Sequence, residues 1–282
     1  MAAVRMDGAA LAQKIRAKLA LKTAQMKASG IEPHLAVVLV GEHPASAVYV
    51  RNKENACAQA GIRSTVVRLD ESCDQQMLEE AVCRLNHAPD VHGILVQLPL
   101  PDHLDGDRVL SLIDPEKDVD GFHAVNRGLL LSGREAFVPC TPRGVMDILA
   151  EYGIDPCGKH AVIVGRSNIV GKPMALLLLE ADATVTICHS RTADLAAMTR
   201  SADILIAAVG RRGFITKDMV KPGAVVIDVG VNRKEEGGIC GDVEPDVFDV
   251  AGYMTPVPGG VGPMTIATLM KNTLDAAKKH GA

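Results

Sequence analysis

The chain has 282 residues, 48% of them hydrophobic but only 2% aromatic and none Trp, so the core falls to Ala, Val, Leu, Ile and Met, the mix of packed helices and parallel strands. A formal net charge of -4 excludes the basic footprint of a nucleic-acid or anionic-membrane binder. Seven cysteines with no C-x-x-C pair and no His at zinc spacing signal neither a metal site nor a disulfide framework, and the odd count suits a reducing cytosol.

No apolar run approaches the roughly 20 residues needed to cross a bilayer, and the N-terminus lacks a signal-peptide core, so a cytoplasmic protein is expected. Arg5, Lys14, Arg16, Lys18, Lys22 and Lys27 face only Asp7 in the first thirty residues, a bias that a transit peptide would share. Leu11, Ile15 and Leu19 at four-residue spacing fit an ordinary amphipathic first helix, which is the preferred reading.

Leu35 to Val40 is an apolar run closed by Gly41, as in a strand buried on both faces. A helix over 46–60 comes next. Residues four apart lie one turn above each other, so Tyr49, Lys53 and Cys57 share a face, and a phenol and an amine point the same way. Most helical lysines are solvated surface charges, so this spacing gains meaning only from the company the helix keeps further along the chain. Strands are expected over 64–69 and 93–98 and a helix over 75–86, a β-α-β-α-β order that implies parallel strands with right-handed crossovers.

Ligands of open parallel sheets gather at the carboxyl ends of the strands, where Gln97 lies. The loop Pro115 to His123 carries Asp118, Asp120 and Gly121 in part of a calcium-loop pattern, but position 12 is Arg127 where a bidentate Glu is required. An Asx-type turn, or a carboxylate accepting paired N–H donors from a flat heterocycle, are the other readings. Pro139-Cys-Thr-Pro142 breaks the chain before a helix over 143–152, and a domain boundary is placed there. Short connections imply that the two halves pack around a cleft.

A strand over 160–164 turns at Gly165-Arg-Ser-Asn-Ile-Val-Gly171 into a Leu-rich helix reaching about Glu180. Strand, glycine turn and helix set backbone N–H groups and a helix N-terminus against a pyrophosphate, although G-x-S-x-x-x-G is not the usual dinucleotide fingerprint. The strand over 184–188 ends in His189-Ser190-Arg191-Thr192. An acidic residue there suits the ribose hydroxyl of NAD, so Ser190 and Arg191, with Arg166 as a second cation, point to the 2′-phosphate of NADP. Strands over 204–209 and 225–229 continue the sheet, and Gly230-Val231-Asn232 is placed for backbone contact with the nicotinamide. A hairpin is expected over 233–243. Pro256 to Pro263 then leads into a last helix over 264–278, with Pro263 suited to its first position.

Together, Tyr49-Val-x-x-Lys53, Gly93-Ile-Leu-Val-Gln-Leu-Pro-Leu-Pro101, Pro115-x-Lys-Asp-Val-Asp-Gly-Phe122, Pro139-Cys-Thr-Pro142, Val164-Gly-Arg-Ser-x-Ile-Val-Gly171 and Pro258-Gly-Gly-Val-Gly-Pro263 resemble, in order and spacing, the signatures of the bifunctional methylenetetrahydrofolate dehydrogenase and methenyltetrahydrofolate cyclohydrolase family. The resemblance covers essentially the whole chain. It implies two α/β domains with a cleft between them. One is a three-layer catalytic and folate-binding domain, residues 1–139 completed by the C-terminal helix 264–282; the other is a Rossmann-type NADP domain with a parallel sheet, residues 140–263. It implies Lys53 as the catalytic group, Tyr49 as the residue that positions it and stacks near the pterin, Gln97 as its tuning partner and Asp120 as the holder of the pterin ring. Pro258, Gly259 and Gly260 would line the folate site, and Gly165, Arg166, Ser167, Ser190 and Val231 would contact NADP. The family usually forms homodimers. Glu54-Asn55 departs from the further basic residue of many relatives, off the Tyr49/Lys53 face. The rival classes are another NADP-dependent dehydrogenase and a folate- or nucleotide-binding module without turnover.

Overall fold

The computed structural model of the chain describes residues 2–42, 44–235 and 237–280. In chain order the elements are β1 (Val4–Arg5), α1 (Gly8–Ala28), β2 (His34–Val40), α2 (Pro44–Ala60), β3 (Arg63–Leu69), α3 (Gln75–His87), β4 (Gly93–Val96), α4 (Gly106–Leu110), α5 (Ala124–Leu131) and α6 (Cys140–Glu151). Beyond them lie β5 (His160–Val164), α7 (Gly171–Glu180), β6 (Thr184–Cys188), α8 (Leu195–Arg200), β7 (Ile204–Ala207), β8 (Val225–Asp228), β9 (Asn232–Arg233), β10 (Ile239–Cys240), β11 (Tyr253–Met254) and α9 (Val261–His280). The chain divides into two compact units, one of residues up to Ala12 with Thr141–Thr265, the other of Gln13–Cys140 with residues from Ile266 onward.

The second of these units is built on a three-stranded parallel sheet of order β3-β2-β4. Every residue of β2 is buried, and because side chains alternate across a strand the run divides between two cores. Leu35, Val37 and Leu39 pack with Val50 and Cys57 of α2 and Leu269, Met270 and Leu274 of α9. Ala36, Val38 and Val40 pack on the other face with Leu78 and Val82 of α3 and Val109 of α4. Helix, sheet and helix form the expected three layers, each fully buried Leu or Val contributing about 1.5–3 kcal/mol. Asp74 caps α3 by accepting the Met77 N–H at 2.8 Å, and Lys117 Nζ closes the other end on the Asn86 and Ala88 carbonyls, both at 2.8 Å.

The first unit carries a six-stranded sheet of order β1-β11-β8-β7-β5-β6, parallel throughout. Sequential strands β6 and β7 flank β5 on opposite sides, which makes the β5/β7 junction a topological switch point. Val162, Leu205, Val226 and Met254 of neighbouring strands share one core with Ile215 and Val247.

Several boundaries differ from the sequence expectation. Helices α6 and α9 begin at Cys140 and Val261, before Arg143 and Met264, because Pro142 and Pro263 fall within the first turn, where an N–H has no intrahelical acceptor to lose. The strands ending at Val96, Ala207 and Asp228 stop sooner than their apolar runs. The hairpin is β9 against β10, with Arg233 opposite Ile239 and Asn232 opposite Cys240. Glu236 within that expected hairpin, and Gly281 and Ala282 at the end of the expected C-terminal segment, lie outside the described residues. Among the described residues, no helix is long and apolar enough to cross a membrane.

Candidate active site

Lys53 sits in the middle of α2 and is only 9% exposed, held there by Val50, Ala56 and Cys57, whose burial turns this stretch of the helix toward the sheet. Its Nζ donates to Gln97 Oε1 at 2.9 Å. Gln97 is fixed in turn, since its backbone N–H extends the ladder to Val38 O at 2.9 Å and its Nε2 donates to Leu98 O at 2.6 Å. With the amide nitrogen turned to Leu98 O, the amide oxygen is the end presented to the lysine. Burial pushes the Lys53 pKa below the usual lysine value, opposed by the nearby Asp120 carboxylate and the Cys140 and Cys57 thiols. Burial thus makes this amine give up its proton more readily than an ordinary lysine, against the pull of Asp120, and a proton-accepting amine is what a base requires.

Asp120 reaches this group from the loop between α4 and α5. Ile94 N–H donates to Lys117 O at 2.8 Å, and Asn272 Nδ2 on α9 donates to Val119 O at 2.8 Å, so the residue before Asp120 is held from α9. A Cβ on Gly121 would lie 2.6 Å from Pro139 N and Val138 C, so the two backbone segments meet closely and set Cys140 beside Asp120. Burial raises the Asp120 pKa, with Lys53 and the Cys140 thiol acting against it, and burial raises that of Cys140 well above its ordinary value. The neighbouring Asp118 is committed to its own loop. Its carboxylate accepts Phe122 N–H at 3.2 Å, His123 N–H at 2.8 Å and Asn126 Nδ2 at 2.8 Å, and burial pushes its pKa up to about 6.

Tyr49 lies one turn before Lys53 and is 38% exposed, with its phenol pKa raised by burial. Among the described residues the lysine's hydrogen-bond partner is Gln97, not Tyr49. One further turn back, Ser46 is buried with no partner for its hydroxyl among the described residues. Neither Ser46 nor Cys140 is among the site residues expected from the sequence. The one signal for Ser46 is its spacing of three and seven residues from Tyr49 and Lys53.

In the other unit, the turn between β5 and α7 carries Gly165, Arg166 and Ser167. Gly165 has φ +131°, and a Cβ there would lie 3.0 Å from the Ala208 carbonyl carbon at the end of β7. A Cβ on Gly171 would lie 2.7 Å from the Gly165 carbonyl carbon, so both glycines are needed for the turn to fold back on its own helix. Ser167 Oγ accepts the Val170 and Gly171 N–H groups at 3.1 and 3.3 Å, tying the turn to the start of α7. Among the described residues, the N–H groups of Arg166, Ser167, Asn168 and Ile169 meet no acceptor, which leaves a cluster of backbone donors at a helix N-terminus, the chemistry that receives a pyrophosphate.

Val164 of β5 pairs with Cys188 of β6, and Gly165 N–H donates to Cys188 O at 2.9 Å. The segment with Ser190 and Arg191, both exposed, therefore leaves the sheet beside the turn that holds the exposed Arg166. Arg191 N–H donates to His189 Nδ1 at 3.1 Å and His189 N–H to Thr192 Oγ1 at 2.8 Å, which orders that corner. Val231, 47% exposed, follows β8 at the same carboxyl edge. These features fit a dinucleotide with a 2′-phosphate. Pro258, Gly259 and Gly260 follow β11 in this same unit, where Ala9 N–H donates to Gly259 O at 2.8 Å.

Residues 6–120 match the family model described as tetrahydrofolate dehydrogenase/cyclohydrolase, catalytic domain, and residues 139–281 match its NAD(P)-binding domain. The bifunctional protein FolD of Paracidovorax citrulli is 58% identical over 280 residues, covering 99% of each chain. Among solved structures, the bifunctional methylenetetrahydrofolate dehydrogenase/cyclohydrolase FolD of Campylobacter jejuni superimposes with a TM-score of 0.97 at 52% identity over 99% of both chains. That of Trypanosoma brucei, complexed with NADP cofactor and an inhibitor, does so at 0.95 and 42% identity over 99% of this chain and 98% of its own.

Proposed function

The chain belongs to the tetrahydrofolate dehydrogenase/cyclohydrolase family, and we infer from that membership that it is a bifunctional enzyme of one-carbon metabolism. It oxidises 5,10-methylenetetrahydrofolate to the 5,10-methenyl compound with NADP and hydrolyses that product to 10-formyltetrahydrofolate. The observation that carries the residue assignment is the buried Lys53 amine, bonded to Gln97 with Asp120 close by.

Bound NADP supplies the hydride acceptor. The folate nitrogens stabilise the cation left behind, so the oxidation asks the protein mainly to hold the reacting rings in place. Gly165, Arg166, Ser167 and the first turn of α7 receive the pyrophosphate, Ser190 and Arg191 the 2′-phosphate, and the backbone at Val231 the nicotinamide. Tyr49 stacks near the pterin, the Asp120 carboxyl accepts from its N–H edge, and Pro258, Gly259 and Gly260 are further folate contacts.

Hydrolysis differs, because the attacking water must lose a proton while a ring nitrogen departs. Neutral Lys53 takes that proton, its amine oriented by the fixed Gln97 oxygen and its pKa lowered by burial. The adduct then collapses as its hydroxyl gives up its hydrogen to form the formyl carbonyl and the departing ring nitrogen is protonated. Replacing Lys53 with Met is expected to lower the cyclohydrolase rate by about 10²-fold or more, measured by the disappearance of methenyltetrahydrofolate, while NADPH formation from the methylene compound continues. An unchanged hydrolysis rate would overturn the assignment. The enzyme acts as a cytoplasmic homodimer in this reading; the outer edge of β6, which among the described residues pairs with β5 alone and exposes Ile187, is a surface suited to self-association, and sedimentation of the purified chain as a monomer would contradict it.

A further inference from the structure

Two carboxylates at the carboxyl edge of the six-stranded sheet have no part in the chemistry so far. Asp228 ends β8 and is 2% exposed, while Asp242 follows β10 and is fully buried. Asp228 Oδ1 accepts the N–H groups of Gly230 and Asp242, each at 2.9 Å, and Oδ2 that of Val243 at 3.0 Å. Asp242 Oδ2 accepts Val209 and Gly210 N–H at 2.7 and 2.9 Å, and its Oδ1 accepts Arg211 N–H and Asn232 Nδ2, both at 2.8 Å. Among the described residues no cationic side chain pairs with either.

A buried carboxylate is costly unless fully hydrogen-bonded, and only a carboxylate offers acceptors on both oxygens to converging N–H groups. Three segments are fixed by the pair: Val209–Arg211 beyond β7, Gly230–Asn232 beyond β8, and Asp242–Val243. The fit is tight enough that a Cβ on Gly230 would lie 2.5 Å from Asp242 N, and one on Gly241 would lie 2.8 Å from Asp228 Oδ1. The held segments flank Val231 and follow the switch-point strand β7, the edge where ligands of such sheets bind.

We propose that Asp228 and Asp242 are positioning residues for hydride transfer, locking the two strand-end segments that form the nicotinamide end of the cofactor site. The proposal rests on the NADP reading above. An amide in place of either carboxylate turns an N–H₂ group against N–H donors and frees at least one segment, so the cofactor is held out of register without loss of Lys53.

The test is Asp242→Asn and Asp228→Asn in the full chain, with the two activities measured separately, the hydrolysis from methenyltetrahydrofolate without NADP. Expected are a rise in KM for NADP, a fall of about tenfold or more in dehydrogenase kcat and a larger primary deuterium isotope effect from the labelled methylene substrate, with the hydrolysis rate within about threefold of the parent chain. Equal losses in both activities, or an unaltered dehydrogenase, would overturn the proposal. If neither variant folds, Asn232→Ala, which removes one bond to Asp242, is decisive: a higher KM for NADP with hydrolysis intact supports the proposal and an unchanged KM refutes it. A parent chain that forms no NADPH would instead refute the NADP reading.

Discussion

Gly8 is the second residue of the link between the N-terminus and the proposed folate loop. Asp7 caps α1 by accepting Ala10 N–H at 2.9 Å, Ala9 N–H donates to Gly259 O, and Gly8 lies against Gly260. A methyl group at position 8 would overlap the Gly260 carbonyl oxygen and sit 2.7 Å from its carbon and 3.2 Å from its Cα. Ordinary carbon contacts are about 3.5–4.0 Å, so the loop must retreat by roughly 1 Å, and backbone cannot rotate away as a side chain can. Overpacking of this kind costs about 1–3 kcal/mol, a fall of several degrees in Tm at about 2–4 °C per kcal/mol. Displacing the folate contacts should raise KM for the folate substrate about tenfold in both activities, for about 1.4 kcal/mol of binding. The control is Gly128→Ala in α5, where a Cβ meets nothing within 4 Å and the change should be neutral or stabilising by about 0.5–1 kcal/mol. Thermal unfolding and steady-state kinetics of both variants decide the matter. A Gly8→Ala enzyme with parental Tm would refute the packing argument, and one with lowered Tm but parental KM would refute the loop's role in folate binding.

Arg191→Ala and Arg166→Ala should each raise KM for NADP while leaving that for NAD little changed; parallel changes with both cofactors would remove the 2′-phosphate assignment. The Lys53 amine, followed by ¹⁵N NMR in the free protein, should titrate below the ordinary lysine pKa, and lower still in Asp120→Asn, because the carboxylate favours the charged amine. A titration at the ordinary value would contradict its burial. Since the unfolded chain binds the Lys53 proton at pH values where the folded chain has released it, this group makes stability rise with pH between the lowered folded pKa and the ordinary unfolded one. Chemical denaturation across that window should show the rise in the parent chain and a smaller one in Lys53→Met.

The parts of the fold legible in the sequence are those carried by local pattern. The apolar run of β2 fits a strand buried on both faces, and Gly165 to Gly171 places a phosphate-type turn between strand and helix. The burial of Lys53 is not legible in the same way, since a helical lysine reads as surface and its partner Gln97 stands 44 residues away. The pattern of acids in the 115–123 loop likewise does not separate Asp118, bound into its own turn, from Asp120, which faces the lysine. Strands β1 and β11 have two residues each and carry no periodicity, so the joining of the N-terminal segment to the larger sheet becomes visible only through the pairing of Val4 with Tyr253. The Asp228 and Asp242 bonds are tertiary for the same reason, linking strand ends through backbone groups that no side-chain spacing reveals.

The most direct test of a two-activity enzyme mixes the purified chain with 5,10-methylenetetrahydrofolate and NADP, following NADPH at about 340 nm, the absorbance of the reduced nicotinamide, alongside the absorbance band of methenyltetrahydrofolate. The expected result is NADPH formation without accumulation of the methenyl compound, and with 10-formyltetrahydrofolate as the product. NADPH formation with the methenyl compound accumulating in step would contradict the hydrolytic role of Lys53, and no NADPH at all would contradict both activities together.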